Sequence, residues 1–134
     1  RRFGEKRSRR PCSLGEMNRD EVGLLAWQWS DYPSRHRNRA NLIVHVLSVP
    51  FFIAAFFSLI VALVHLAWVP ALVCIAVMGA VIALQGRGHR LESTTPAPFR
   101  GPADVVARLF VEQLVTFPRF VWSGELARAL RASD

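Results

Sequence analysis

Between Leu42 and Leu84 the sequence contains no Asp, Glu, Lys or Arg, although the 134-residue chain carries 17 Lys and Arg and a formal net charge of +7. A helix with no polar face has nothing to present to water, so this absence excludes a soluble surface for the middle of the chain. The same stretch is too apolar to remain disordered. Cysteine is scarce: Cys12 stands in a polar segment and Cys74 in the apolar run, which leaves no basis for a disulfide framework. Gly/Ser-rich linkers are nearly missing, so the chain reads as one domain. Internal repeats and glycine-rich nucleotide loops are absent as well.

What is present is an apolar run long enough for two membrane spans, since a bilayer core takes about 20 helical residues. His65, Trp68 and Pro70 mark a break, leaving spans over about 42–64 and 69–84. The predicted fold class is all-α, an integral membrane helical hairpin with flanking amphipathic or interfacial helices. Arg19, Arg35, Arg37 and Arg39 precede the first span and Arg87, Arg90 and Arg100 follow the second, while the turn carries no basic residue. Both termini are therefore expected on the cytoplasmic side.

The flanks differ in kind. Residues 1–16 hold Arg1, Arg2, Lys6, Arg7, Arg9 and Arg10 against Glu5 and Glu16, a net +4 of the total +7. They show no apolar periodicity and read as a disordered basic arm, with Met17 as the expected natural start. Discounting that arm, the high pI reports topology and does not point to nucleic acid. Residues 17–124 form the expected domain and 125–134 a C-terminal tail. From Ala103 to Trp122, Asp104, Arg108 and Glu112 recur every four residues on one face, with Val105, Leu109, Phe110, Leu114 and Phe117 on the apolar side. Gly101 and Pro102 open this helix and Pro118 ends or kinks it; it is expected at the interface or packed on the hairpin. Val22, Leu25 and Trp29 give residues 19–31 the pattern of a shorter partner helix.

The hairpin sorts the four histidines. His45 lies near the start of the first span and His89 just beyond the second, so both fall on one side of the membrane, and His36 joins them. His65, 20 residues past His45, sits about 30 Å away at the far turn. Asn41 shares a helix face with His45, and Gln85, His89 and Glu92 share another if the second helix persists past Gly86 and Gly88. Ionisable groups at a membrane boundary are candidate functional residues. Three imidazoles and a carboxylate suit a first-row divalent metal, though spacing does not select iron over zinc or manganese. His36 and His45 are nine residues apart, about 180° around a helix, so a shared site requires a bend between them, near Pro33 or Arg37–Arg39. A structural role for the histidines is the main alternative on these residues alone, and a haem held by His45 and His89 is a third, which leaves His36 and Glu92 unexplained.

Tyr32, His36, Asn41, His45 and Pro50 in YPSRHRNRANLIVHVLSVP, together with Gln85, Gly88, His89, Glu92, Pro96 and Ala97 in QGRGHRLESTTPA, resemble the family of membrane 2-hydroxy fatty acid dioxygenases. The resemblance runs from Tyr32 to about Ser123. It implies an iron(II)-dependent α-oxidation in which O2 shortens a long-chain 2-hydroxy fatty acid by one carbon. By matching positions it implies His36, His45 and His89 as iron ligands, Glu92 as a fourth ligand or supporting group, and Asn41 as an orienting residue. The chain departs from longer members in having two spans where they have about four, and in placing Arg87 where an apolar residue is expected.

A 2-hydroxy acid can chelate a metal through its hydroxyl and carboxylate. Tyr32, Arg37 and Arg90 are the expected substrate contacts, with Arg35 and Arg39 as further carboxylate partners, since guanidinium pairs bidentately with carboxylate. Phe51, Phe52, Phe56 and Phe57 are the expected surroundings of the acyl chain. The expected partners are thus the hydroxy acid, O2 and membrane lipids, and the expected location is a bacterial inner membrane. A two-span hairpin has little surface to close around a ligand, and a homodimer is one arrangement it allows.

Overall fold

The computed structural model describes residues 19–132; the basic arm at 1–16, the expected start at Met17 and the last two residues lie outside that range. The described residues are mostly helical, with no strand among them: α1 (Arg19–Asp31), a 3-10 turn (Tyr32–Arg35), α2 (Arg39–Val64), α3 (Trp68–His89), α4 (Pro102–Val111), a π-helical turn (Glu112–Thr116), α5 (Phe117–Trp122) and α6 (Glu125–Ala132).

The apolar middle forms the α2–α3 hairpin, and both helices are long and apolar enough to cross a membrane. Only 28% and 22% of their most apolar windows are buried, which is unlike a core helix of a soluble protein. Phe51, Phe57, Ile60, Val64, Leu72, Val73 and Ile75 face outward. Between the helices, Phe52, Ala55, Met78 and Val81 pack together with Phe110 of α4. At the far turn the chain reverses through Leu66 at a positive φ of 53°, and the Ala67 N–H reaches back to the Ala62 carbonyl at 2.8 Å. That six-to-one bond ends α2 and leaves His65 exposed.

At the other end both helices run further than the charge-free stretch. Asn38 caps α2, its side-chain oxygen accepting from the backbone N–H groups of Ala40 at 2.9 Å and Asn41 at 3.2 Å. The helix therefore starts at Arg39, and residues 36–38 form the required bend between His36 and His45. Helix α3 persists through Gly86 and Gly88 to His89. At Gly88 the two helices are in close contact: a Cβ there would lie 2.5 Å from Asn41 Oδ1.

The flanking helices pack on this open end. Helix α1 breaks its own geometry at Gly23, where φ is +78°. It is tied to α4 by an Arg19–Asp104 ion pair and by Gln28 donating to the Arg108 carbonyl at 3.1 Å, and to the segment before α4 by an Arg100–Asp20 ion pair. Tyr32, Leu42, Val49, Phe117 and Phe120 form a second apolar cluster. The segment read as a C-terminal tail includes α6, whose Leu126, Ala129 and Leu130 pack against that cluster. The stretch from Pro102 to Trp122 is helical as its periodicity predicts, but it changes register midway, with the Phe117 N–H bonding the Glu112 carbonyl five residues back. Pro118 has no N–H with which to continue an α ladder, and the turn accommodates an extra residue.

Candidate metal centre

Three helical elements and one loop bring His36, His45, His89 and Glu112 together, with one donor atom of each lying within 4.8 Å of every other. His36 comes from the bend after the 3-10 turn, His45 from the second turn of α2, His89 from the last residue of α3 and Glu112 from the start of the π turn. The imidazole centroids are 4.8, 4.9 and 5.1 Å apart and cross at steep angles, so the rings converge on a point without stacking on one another.

Backbone carbonyls fix two of the tautomers. His36 Nδ1 lies 3.0 Å from the Tyr32 carbonyl and His45 Nδ1 lies 3.0 Å from the Asn41 carbonyl. A carbonyl only accepts, so each Nδ1 carries the proton and each Nε2 presents a lone pair. Those Nε2 atoms stand 3.5 and 3.4 Å from Glu112 Oε1, and His89 Nε2 stands 3.9 Å from it. Among the described residues His36 Nε2, His45 Nε2 and Glu112 Oε1 are buried without a hydrogen-bond partner. Lone pairs facing a carboxylate oxygen repel unless a cation or a proton lies between them, and burial makes leaving them unpaired costly. This donor set fits a divalent metal: all ligands are imidazole or carboxylate, and thiolate is absent from the group.

Glu92, expected as a fourth ligand or supporting group, lies outside this donor set. Its carboxylate accepts from the backbone N–H groups of Arg37 and Asn38, each at 3.1 Å, and from Asn41 Nδ2 at 2.7 Å. With those donors satisfied, it ties the His36 loop and the first turn of α2 to the end of α3. Asn41 is fully buried and turns its side chain to Glu92, while its carbonyl fixes the His45 ring. Gln85, on the His89 face of α3, donates to Ser48 Oγ at 2.9 Å and pairs reciprocally with the buried Gln113 of the π turn. His65 lies at the far end of the hairpin, exposed.

A cleft of about 340 Å³ opens from the cluster, lined by His36, His89 and Glu112 at one side and by Trp27, Tyr32, Ile82, Gly86, Phe99, Val105 and Leu109 elsewhere. Tyr32 stacks on His36 with centroids 3.8 Å apart, and its buried hydroxyl has no partner among the described residues. Burial and the nearby Glu112 carboxylate push its phenol pKa well up, so the hydroxyl stays protonated. The basic residues of the cleft are Arg35 and Arg108. Arg37 and Arg90 are exposed and lie outside that lining, as does Arg39. Arg108 is stacked against Trp27 and Phe99 at 5.0 and 4.5 Å from the ring centroids. Of the phenylalanines expected around an acyl chain, Phe51 and Phe57 face outward, while Phe52 and Phe56 pack against Phe110.

An all-α hairpin with a convergent imidazole and carboxylate set at one end is a helical protein equipped to bind a divalent metal. Its family gives the class a more specific form. Residues 24–118 match the family described as 2-hydroxy-palmitic acid dioxygenase Mpo1-like, and the chain belongs to this Mpo1-like family. The matched interval begins in α1 and ends at Pro118, so it contains all four donors. No curated protein and no solved structure matches the chain.

Proposed function

We propose that this protein is an integral membrane, iron(II)-dependent dioxygenase that converts a long-chain 2-hydroxy fatty acid and O2 to the fatty acid one carbon shorter, with carbon dioxide and water as the other products. The observation that carries the reading is the convergence of three imidazole nitrogens on the buried Glu112 oxygen, with His36 Nε2, His45 Nε2 and Glu112 Oε1 lacking a hydrogen-bond partner among the described residues. The family description supports the reaction class. The outward apolar faces of α2 and α3 support insertion as a hairpin, and the basic residues at its open end support cytoplasmic termini in a bacterial inner membrane.

His36, His45, His89 and Glu112 would hold the metal. Bound iron(II) would supply a chelation point for the substrate's hydroxyl and carboxylate and the electrons that activate O2. The chain's own residues do the rest. The Tyr32 and Asn41 carbonyls keep the His36 and His45 rings in the tautomer that offers Nε2. Arg108 and Arg35, paired with Asp104 and Asp31, are the guanidinium groups of the cleft that would meet the substrate carboxylate. Tyr32 keeps its proton and offers Oη as a donor to a ligand in the cleft. The Gln85–Gln113 pair locks the π turn against α3 and thereby holds Glu112 in place.

The decisive test uses protein purified in detergent, loaded anaerobically with iron(II) and supplied with 2-hydroxypalmitic acid and air. Consumption of O2 with formation of the one-carbon-shorter acid is expected. Unchanged substrate with stoichiometric iron would refute the reaction, and absence of stoichiometric metal would favour structural histidines. A haem between His45 and His89 is disfavoured by geometry, because His36 and Glu112 occupy the space a macrocycle would need.

A further inference from the structure

One wall of the cleft changes character along the helix that forms it. On α3 the lining passes from His89 to Gly86 and on to Ile82, two helical turns and about 10 Å further into the apolar part of the hairpin. The opposite wall is mixed, with Glu112, Leu109, Arg108 and Val105 in the lining. The α3 wall alone runs from the donor set to apolar side chains. Gly86 stands about 4.5 Å along the axis from His89, at the transition. A Cβ at that position would meet no described atom within 4 Å, so the helix presents open space there.

Resting on the dioxygenase reading, we propose that this cleft is an acyl-chain channel and that Gly86 is the residue that keeps it open. The occupant is a single-chain carboxylic acid. Its head group lies at the donor set, near Arg108 and Arg35, which are also paired with Asp104 and Asp31, and its alkyl chain passes Gly86 toward Ile82. A cleft of about 340 Å³ is the size of a site for one small ligand, which disfavours a two-chain phospholipid. The outer-face residues Phe51 and Phe57 have no part in this path, because they point away from the donor set. Gly86 thus sets selectivity for chain length, and a larger side chain there obstructs long chains more than short ones.

The test uses 2-hydroxypalmitic acid carrying a mid-chain diazirine, photolysed with the protein in phosphatidylcholine nanodiscs and mapped by mass spectrometry. Labels are expected on residues 82–86 and 105–109. Gly86→Leu is expected to lower that labelling, and the ratio of long-chain to short-chain turnover, by at least about tenfold while metal content is retained. Gly86→Ala, which favours the helix, is expected to give a smaller loss in the same direction and guards against misfolding of the leucine variant. Labels confined to the Phe51 and Phe57 face, or labelling indifferent to Gly86→Leu, would overturn the channel. The two readings fail separately. Labelled cleft without product would leave the channel standing and remove the oxidation, whereas product with labels elsewhere would do the reverse.

Discussion

Two glutamates reach the open end of the hairpin, and their surroundings give them opposite roles. Glu92, in the turn after α3, is met by two backbone N–H groups and the Asn41 amide, and so satisfied it fastens one segment to another. Glu112, on the π turn, faces three imidazoles with the Tyr32 phenol nearby, and its Oε1 has no hydrogen-bond donor among the described residues. Proximity to histidines in sequence favours Glu92; unsatisfied chemistry favours Glu112. A carboxylate already holding N–H groups is a poor candidate for a metal ligand, and one facing lone pairs is a good one.

Substitution can break this contrast. Glu112→Ala and His89→Ala are expected to have the largest effect, loss of stoichiometric metal with affinity falling more than about a hundredfold, measured by elemental analysis and calorimetric titration. Equal retention of metal by both variants would dissolve the distinction between the glutamates. Glu92→Gln is expected to keep the stoichiometry and weaken affinity by about tenfold, because an amide NH2 replaces one of the oxygens that receive N–H groups. Loss as complete as that of Glu112→Ala would return Glu92 to the donor set. Gly88→Ala sharpens the comparison further. Its Cβ would press on Asn41 Oδ1, displacing the amide that Glu92 holds, with an expected cost of about 1–3 kcal/mol in thermal or denaturant unfolding. His65→Ala is expected to change neither metal content nor stability measurably, and a loss of metal in this variant would refute the separation of the two hairpin ends.

The hairpin was legible because a charge-free run of that length leaves a helical chain few alternatives, and its topology alone placed His36, His45 and His89 on one side and His65 on the other. The need for a bend between His36 and His45 followed from helical geometry, and residues 36–38 supply it. Glu112 was not legible as a site residue. A four-residue spacing of Asp104, Arg108 and Glu112 looks the same whether it faces solvent or a cleft, and only tertiary packing separates the cases. One signal was available: Asp104 and Glu112 are the only carboxylates from Ala103 to Trp122, and Asp104 is accounted for by its place in the first helical turn. Glu92 attracted attention because it shares a face with His89 when α3 is extended in imagination, but the helix stops at His89. The basic residues were misdirected for a similar reason. Arg37 and Arg90 are close to the histidines along the chain, whereas Arg108 comes from a helix distant in sequence.

The π turn at Glu112–Thr116 also sets the helical phase of everything that precedes it. Removing one residue from this turn, for instance the exposed Val115, would restore ordinary α periodicity and rotate the segment carrying Val105, Arg108 and Glu112 by about 100° relative to Phe117 and Phe120. The local ladder would gain regularity, and the two apolar residues could remain in their cluster. Glu112 would no longer aim at the histidines, and the cleft would lose one wall. Here the preference of the backbone and the needs of the site are opposed, and the extra residue is kept on the side of the site.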